Sequence, residues 1–455
     1  MPAPGSDSDR IRPIGFDLSR RGDRSRRLST LMVCAFTLAT ACAAERRPPG
    51  RAFLIGIDGA SARVIDPMLH ADRLPNLGRI AAAGVYGSIR SFPRLRSPRI
   101  WTTVATGKTP EKHGIKGWVK PAGHGRVELY YGRDRIGPAL WNIVSDAGLR
   151  VAVVNWLATY PPEIVNGVVV SDHTFPKEIE GKIWLAEGVA DHFGVELAPV
   201  KRGTARGAVV SPAVWTAKVL APAHREVRLT DIVDPFAANP ALGIHQQLSR
   251  HFHRDGQLVS IALQIEEETR PDLTMILLQG IDRASHYLWA GIEAPEAYAE
   301  LPFDPQRREA ARVALETYYT YTDALIGRLL DGAAPEDLVV VLSDHGFEAD
   351  LDGLVTGNHK SPRAEMGVIF ARGPGIAHEA EPDETTVNDI TPTMLAWLGL
   401  PIADDMDGRV APFLAVARPK TLPTYDDTSI RRLTELDSGA EQAILEELRA
   451  LGYVE

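Results

Sequence analysis

A chain of 455 residues that is 44% hydrophobic and 24% charged has the make-up of a globular protein of one large or two ordinary domains, which excludes a disordered or fibrous class. Its 50 Lys and Arg stand against 59 Asp and Glu, a net charge of −9, which argues against a nucleic-acid polymer held through its phosphates. Both cysteines, Cys34 and Cys42, fall in the first tenth of the chain, so a disulfide framework, a CxxC zinc site and a cysteine nucleophile are excluded from the folded body.

In chain order, residues 1–50 read as an export signal and tether. An Arg-rich stretch closing with Arg24, Arg26 and Arg27 runs into the uncharged segment Leu28 to Ala41, which has signal-peptide length and falls short of a ~20-residue membrane span. Ala39, Thr40 and Ala41 then precede Cys42, an order that resembles the lipobox of bacterial lipoproteins, with the usual leucine displaced by one place to Leu38. The expectation is an exported protein, periplasmic or anchored to a membrane through a lipidated Cys42, with Glu45 to Gly50 as a short tether.

From Arg51 the chain alternates β-like runs with helical patterns, which predicts an α/β fold with a largely parallel central sheet flanked by helices. Ala52 to Ile57 ends at Asp58, Leu273 to Ile281 ends at Asp282, and Leu338 to Ser343 ends at Asp344. Each run is almost continuously apolar, as for strands buried on both faces, and each delivers an acid at its C-terminal end, where open α/β sheets place their ligands. Arg150 to Asn155, Gly167 to Ser171 and Gly367 to Ala371 are further strands; Leu74 to Ala83, Gly137 to Gly148 and Pro305 to Asp331 are helical. The rhythm breaks between 175 and 256. The core is therefore expected in two parts, 51–174 and 257–415, with 175–256 inserted as a substrate-selecting cap and 416–455 a tail ending in a surface helix over Gly439 to Leu451.

The chemistry gathers in six candidate metal ligands and one hydroxyl. Asp282 and His286 are four apart, which puts both on one face of a helix. Asp344 and His345 are adjacent at a strand end, where a turn lets both converge and Gly346 is expected to permit the bend. His359 follows fifteen residues after Asp344, near enough to return to the same edge. Singly, such residues have plainer readings as helix caps or ion pairs; three acids at one sheet edge point to a metal centre. Mixed Asp and His donors at two sites suit a pair of divalent ions, Zn²⁺ better than Mn²⁺. Ser97, followed by Pro98, is placed to cap a helix N-terminus, which attracts phosphate. His113 lies outside the acid cluster and reads as structural.

Phe53 to Gly59, Ser97 with Ala105-Thr106-Gly107, His113-Gly114-Ile115, Asp282 with His286, Ser343 to Gly346, Asn358-His359 and Val387 to Gly399 together resemble the alkaline phosphatase superfamily. Within it the chain is most similar to the type I phosphodiesterase and nucleotide pyrophosphatase group and its phosphohydrolase and phosphomutase relatives. The resemblance implies Ser97 as nucleophile, one metal held by Asp282, His286 and His359, and a second by Asp58, Asp344 and His345. It implies a hydrolase of small phosphate esters, foremost a phosphodiesterase working through a phosphoserine. The alternatives are a phosphomonoesterase, a phosphomutase, or a non-catalytic metal-containing binding lipoprotein. Nucleotide pyrophosphatases usually carry threonine as nucleophile and an asparagine after the His-Gly-Ile stretch; here Ser97 and Lys116-Gly117-Trp118 stand instead. Lys116 or Arg99 is expected to supply the missing phosphoryl-oxygen donor. Trp118 reads as ordinary packing, or as a residue that stacks on a substrate group. A sulfatase is disfavoured because Ser97-Pro98-Arg99 lacks the spacer of a formylglycine motif.

Overall fold

The computed structural model describes residue 48, residues 50–172, 178–179, 182–183, 229–237 and 246–426, with 125, 299–302, 352–354, 379–381 and 417 excepted, and the isolated positions 239, 242, 445–446 and 448–449. The signal, Cys42 and most of the expected cap lie outside these residues. Among the described residues no helix is long and apolar enough to cross a membrane.

Seven strands form the central sheet: β1 (Ala52–Ile57), β2 (Gly84–Arg90), β3 (Val151–Val154), β4 (Gly167–Val170), β5 (Leu273–Leu278), β6 (Leu338–Leu342) and β7 (Met366–Arg372), in the order β2-β7-β6-β1-β5-β3-β4. β7 runs antiparallel to β6 and β2; the remaining pairings are parallel. The three apolar runs that end in an acid are thus the three central neighbours. β2, which the sequence pattern did not single out, is a half-exposed edge strand interrupted by glycines, so its apolar signal is weak.

The continuous hydrophobicity of β1 has a simple cause: its residues alternate between two cores. Phe53, Ile55 and Ile57 join the face covered by α1 (Ala62–His70), α5 (Gln246–Thr269), α6 (Gly280–Leu288) and α7 (Pro305–Leu330). Ala52 and Leu54 join the opposite face, covered by α3 (Ser97–Thr106), α4 (Leu140–Asp146) and α8 (Ile390–Trp397); α2 (Pro75–Ala82) packs by the β2–β7 edge. Burying each such Leu or Ile is worth about 1.5–3 kcal/mol, and burial on both faces makes this sheet the rigid support of its own C-terminal edge.

Two expected boundaries move, and a third position falls inside a helix. The run Leu273 to Ile281 stops being strand at Leu278, and Asp282 lies in the first turn of α6 rather than at the strand end, because the helix begins at Gly280. α3 begins at Ser97, since the Arg96 carbonyl accepts from Ile100 N (3.2 Å), leaving Arg96 as the capping residue. The end of the inserted segment, set at 256, falls inside α5, whose Leu248, Phe252 and Val259 are buried in the first core. Near the C-terminus, Leu445 and Leu448 are buried against Leu129, Tyr131 and Tyr160.

Candidate metal centre and nucleophile

Parallel register brings the acids together. Ile57 pairs with Leu278 and Gly56 with Leu342, so β1, β5 and β6 end side by side. Asp58 donates its backbone N–H to Leu278 O (2.9 Å), and the next amide, Gly59 N, donates to Asp344 Oδ1 (3.2 Å). Gly59 has φ +68°, and a Cβ there would meet the Phe347 ring at 2.7 Å and Asp282 at 3.1 Å, so the turn that presents Asp58 requires glycine. Gly346 is needed for a different reason from the one expected. It does not adopt a positive φ; a Cβ there would meet Met366 O at 2.9 Å, where β7 begins.

The imidazoles arrive by three routes. His286 lies one turn after Asp282 on α6; His345 follows the bend at Asp344; His359 is returned by a small hairpin in which Glu348–Ala349 pairs with Gly357–Asn358. All six side chains are buried. His286 Nδ1 lies 2.9 Å from Gly357 O and His345 Nδ1 3.0 Å from Gly346 O. A carbonyl only accepts, so each Nδ1 carries the proton and each Nε2 turns a lone pair towards the carboxylates, the tautomer a metal-ligating histidine requires.

Two overlapping groups result. Asp58, Asp344 and His345 form one; Asp282, His345 and His359 form the other, with donor atoms within 4.8 Å of one another in each. His286 joins the second through Asp282, its Nε2 3.7 Å from Oδ1, with His359 Nε2 3.8 Å from the same oxygen. His345 stands between the groups, 3.6 Å from Asp58 Oδ1 and 3.4 Å from Asp344 Oδ2, its ring stacked on His359 at 3.9 Å. All six expected ligands therefore meet at one place.

Burial, with the charges of Asp344 and Asp282 added, pushes the Asp58 carboxyl well above the usual carboxylate range. Asp344 is pushed up in the same way, chiefly by burial, with Asp282 adding and the Gly59 N–H opposing. Burial likewise holds His286 low, and burial together with His345 and His286 holds His359 well below the usual imidazole range. Asp58 Oδ2, Asp282 Oδ1, Asp344 Oδ2 and His345 Nε2 have no hydrogen-bond partner. Buried oxygens of three acids left unpaired are costly, and a divalent cation would remove that cost. The donor set therefore fits divalent metal.

Ser97 Oγ donates to Asp58 Oδ1 at 3.2 Å from the first turn of α3, fully buried. Of the two expected phosphoryl-oxygen donors, Arg99 is tied elsewhere: its NH1 donates to Pro93 O (2.7 Å) and Arg94 O (3.2 Å), and its guanidinium covers Phe92. Lys116 is exposed to solvent. His113 is the structural residue expected: Ile115 N donates to its Nδ1 (3.2 Å), and its Nε2 bonds Thr103 Oγ1 (3.0 Å), clipping the 113–115 turn to α3. Two residues escaped the sequence reading although each adjoins a singled-out motif. Arg283 NH1 donates to Asp282 Oδ2 at 2.7 Å, and Phe347 packs edge-on against His286 and His359.

The sheet gathers six candidate metal ligands at its C-terminal edge, the arrangement that the resemblance to the alkaline phosphatase superfamily implies. The family model of type I phosphodiesterase / nucleotide pyrophosphatase matches residues 52–392, a span that contains all six candidate ligands and Ser97, and the chain belongs to that family. No curated protein sequence matches it significantly. Among solved structures it is similar to phosphonoacetate hydrolase from Sinorhizobium meliloti 1021, with 19% identity over 67% of this chain and a TM-score of 0.40; the match spans 59% of that protein. It is also similar to a phosphonate monoester hydrolase from Silicibacter pomeroyi, with 16% identity, 80% and 76% of the two chains covered and a TM-score of 0.45. A 2-O GAG sulfatase has 13% identity, 80% and 73% coverage and a TM-score of 0.46.

Proposed function

We propose that the chain is a two-metal phosphodiesterase that works through a phosphoserine on Ser97. Family membership supports phosphoryl-ester chemistry. The observation that carries the mechanism is the Ser97 Oγ to Asp58 Oδ1 bond of 3.2 Å, which sets the only hydroxyl nucleophile expected from the sequence against the cluster of unpartnered donors. Asp58, Asp344 and His345 would hold one cation and Asp282, His286 and His359 the other; three imidazoles and three carboxylates suit Zn²⁺, with Mn²⁺ the weaker fit. Two such cations supply charge stabilisation for the attacking and leaving oxygens of an in-line displacement.

The chain's own residues do the rest. Asp58 aims Ser97 Oγ out of the first turn of α3, where backbone N–H groups favour the incoming phosphoryl group. Ser97 Oγ bonds to phosphorus as the ester oxygen leaves; water then cleaves the phosphoserine and restores the hydroxyl. In the same reading the segment to Ala41 exports the chain and Cys42 anchors it, so labelled palmitate is incorporated by the wild type and lost in Cys42→Ala.

The test is turnover of bis-p-nitrophenyl phosphate and p-nitrophenyl phosphate by the zinc-loaded full chain. Preference for the diester, with a loss of about 10³-fold or more in Ser97→Ala, is expected. Undiminished turnover in Ser97→Ala, or no turnover of either ester with two metals bound, overturns the proposal.

A further inference from the structure

A buried guanidinium stands beside the acid cluster, paired with Asp282 at 2.7 Å. Arg283 is buried beside the carboxylates that would hold two divalent cations, so its charge opposes metal uptake. It also sits in the first turn of α6, the end of a helix that repels a positive charge. The ion pair with Asp282 offsets both terms, and its geometry gives the guanidinium a role. NH1 donates to Asp282 Oδ2 at 2.7 Å, while Asp282 Oδ1 has no hydrogen-bond partner and faces His286 Nε2 at 3.7 Å and His359 Nε2 at 3.8 Å. One carboxylate oxygen is thereby occupied and the other directed at the imidazoles. The guanidinium is itself held over the ring of Trp118, with Cζ 5.6 Å from the centroid.

We propose that Arg283 is a positioning residue for Asp282. It fixes Oδ2 so that Oδ1 alone is offered to a cation, and Trp118 clamps Arg283 in that orientation. This rests on the two-metal reading of the site. It also gives Trp118, in the position where the family usually has a phosphoryl-oxygen donor close by, work on the protein rather than on the substrate.

Zinc affinity of the full chain, measured by chelator competition and by metal content after dialysis, separates orientation from charge. Removing only the charge should tighten binding, and removing the bond to Oδ2 should weaken it. Arg283→Gln keeps an N–H donor without the charge and is expected to bind two zinc ions within about 3-fold of the wild type or more tightly. Arg283→Ala is expected to lose about 10–100-fold at one of the two sites, the range for a lost partner of a metal ligand, and to recover kcat with excess zinc while KM is unchanged. Trp118→Ala should lose about 2–5-fold and Trp118→Phe less. Circular dichroism in chelator checks that each variant is folded; if Arg283→Ala is not, the Gln and Trp118 variants carry the test. Arg283→Ala with wild-type affinity and a raised KM would make Arg283 a substrate contact and overturn the proposal, as would Arg283→Gln losing as much as Arg283→Ala, or Trp118→Ala losing nothing. A wild-type chain that takes up no zinc overturns the two-metal reading and this proposal together; failure in the variants alone overturns only the proposal.

Discussion

Two buried clusters of charge in this molecule are built on opposite plans. Around Glu163, every demand is met: Arg135 NH2 donates to both carboxylate oxygens at 2.8 Å, Trp141 Nε1 donates at 2.6 Å and Asn142 Nδ2 at 3.2 Å, and Asn142 Oδ1 accepts from Ala139 N and Arg135. At the sheet edge, Asp58, Asp282 and Asp344 face one another and leave an oxygen each without a partner. The first cluster has its cation built in as Arg135. In the second, Arg283 pairs with Asp282 alone, and the oxygens left over could take a cation from outside, so the contrast is between a polar core whose demands are met within the chain and one with donors to spare.

The sharpest way to break this contrast is to remove one acid from each cluster. Asp58→Asn takes away a candidate ligand and the acceptor of Ser97, and turnover is expected to fall about 10³-fold or more. In chelator, however, the same variant should melt at a higher temperature than the wild type, because a group that burial and two like charges disfavour has been neutralised. Glu163→Ala should do the reverse. It leaves Arg135 buried and unpaired, about 3–5 kcal/mol less stable with or without zinc, while the folded fraction turns over normally. Melting curves of both variants with zinc and with chelator decide it; an Asp58→Asn chain destabilised in chelator would mean that the acid cluster also supports the fold.

Zinc itself should distinguish the clusters next. Metal that binds only the folded chain stabilises it by about 4 kcal/mol at 1,000 times its dissociation constant. Wild type and Glu163→Ala should show that gain equally, whereas Asp344→Asn should lose most of it. Equal zinc shifts in Asp344→Asn and wild type would remove Asp344 from the ligand set.

The contrast also marks what the sequence could reveal. Asp58 and Asp344 were legible because they end continuous apolar runs, and a strand buried on both faces has no other pattern to adopt. Asp282 and His286 were legible through spacing: the i, i+4 relation survives although the strand ends at Leu278 and the helix begins at Gly280. The start of α3 was off by one residue, since a helix begins where a carbonyl first accepts, and that carbonyl is Arg96 O rather than Ser97 O. The Arg283 to Asp282 bond and the Gly346 to Met366 approach stayed hidden for a common reason. Both depend on which way neighbouring side chains or a distant strand lie, and neither leaves a periodic trace. Arg99 showed the converse: nearness in sequence to Ser97 suggested a substrate donor, while the carbonyls of Pro93 and Arg94 claim its guanidinium locally.

The remaining effects appear only as pH is changed and concern two buried titratable groups that lie outside both clusters and respond with opposite sign. Burial, with the charge of Arg135 added, pushes His113 down to about 3, so between that value and its ordinary 6.5 the unfolded chain binds the extra proton. Stability from His113 is therefore full above about pH 6.5 and is lost as pH falls towards 3, up to about 5 kcal/mol. Burial pushes Asp255 up to about 6 against the pull of Arg254 and of the bonds from Tyr318 OH and Gly280 N, both 3.1 Å. Its folded form holds the proton between 3.8 and 6, so its contribution is full in acid and lost as pH rises through 6. Asp255→Asn keeps an oxygen for both donors and should be more stable than the wild type at pH 8, by up to about 3 kcal/mol, with the advantage gone below pH 4. His113→Gln should be less stable at pH 8 and flatter on the acid side. Urea unfolding in chelator from pH 8 to 4 measures both, and parallel curves for wild type and Asp255→Asn would show that Asp255 is not the group that titrates.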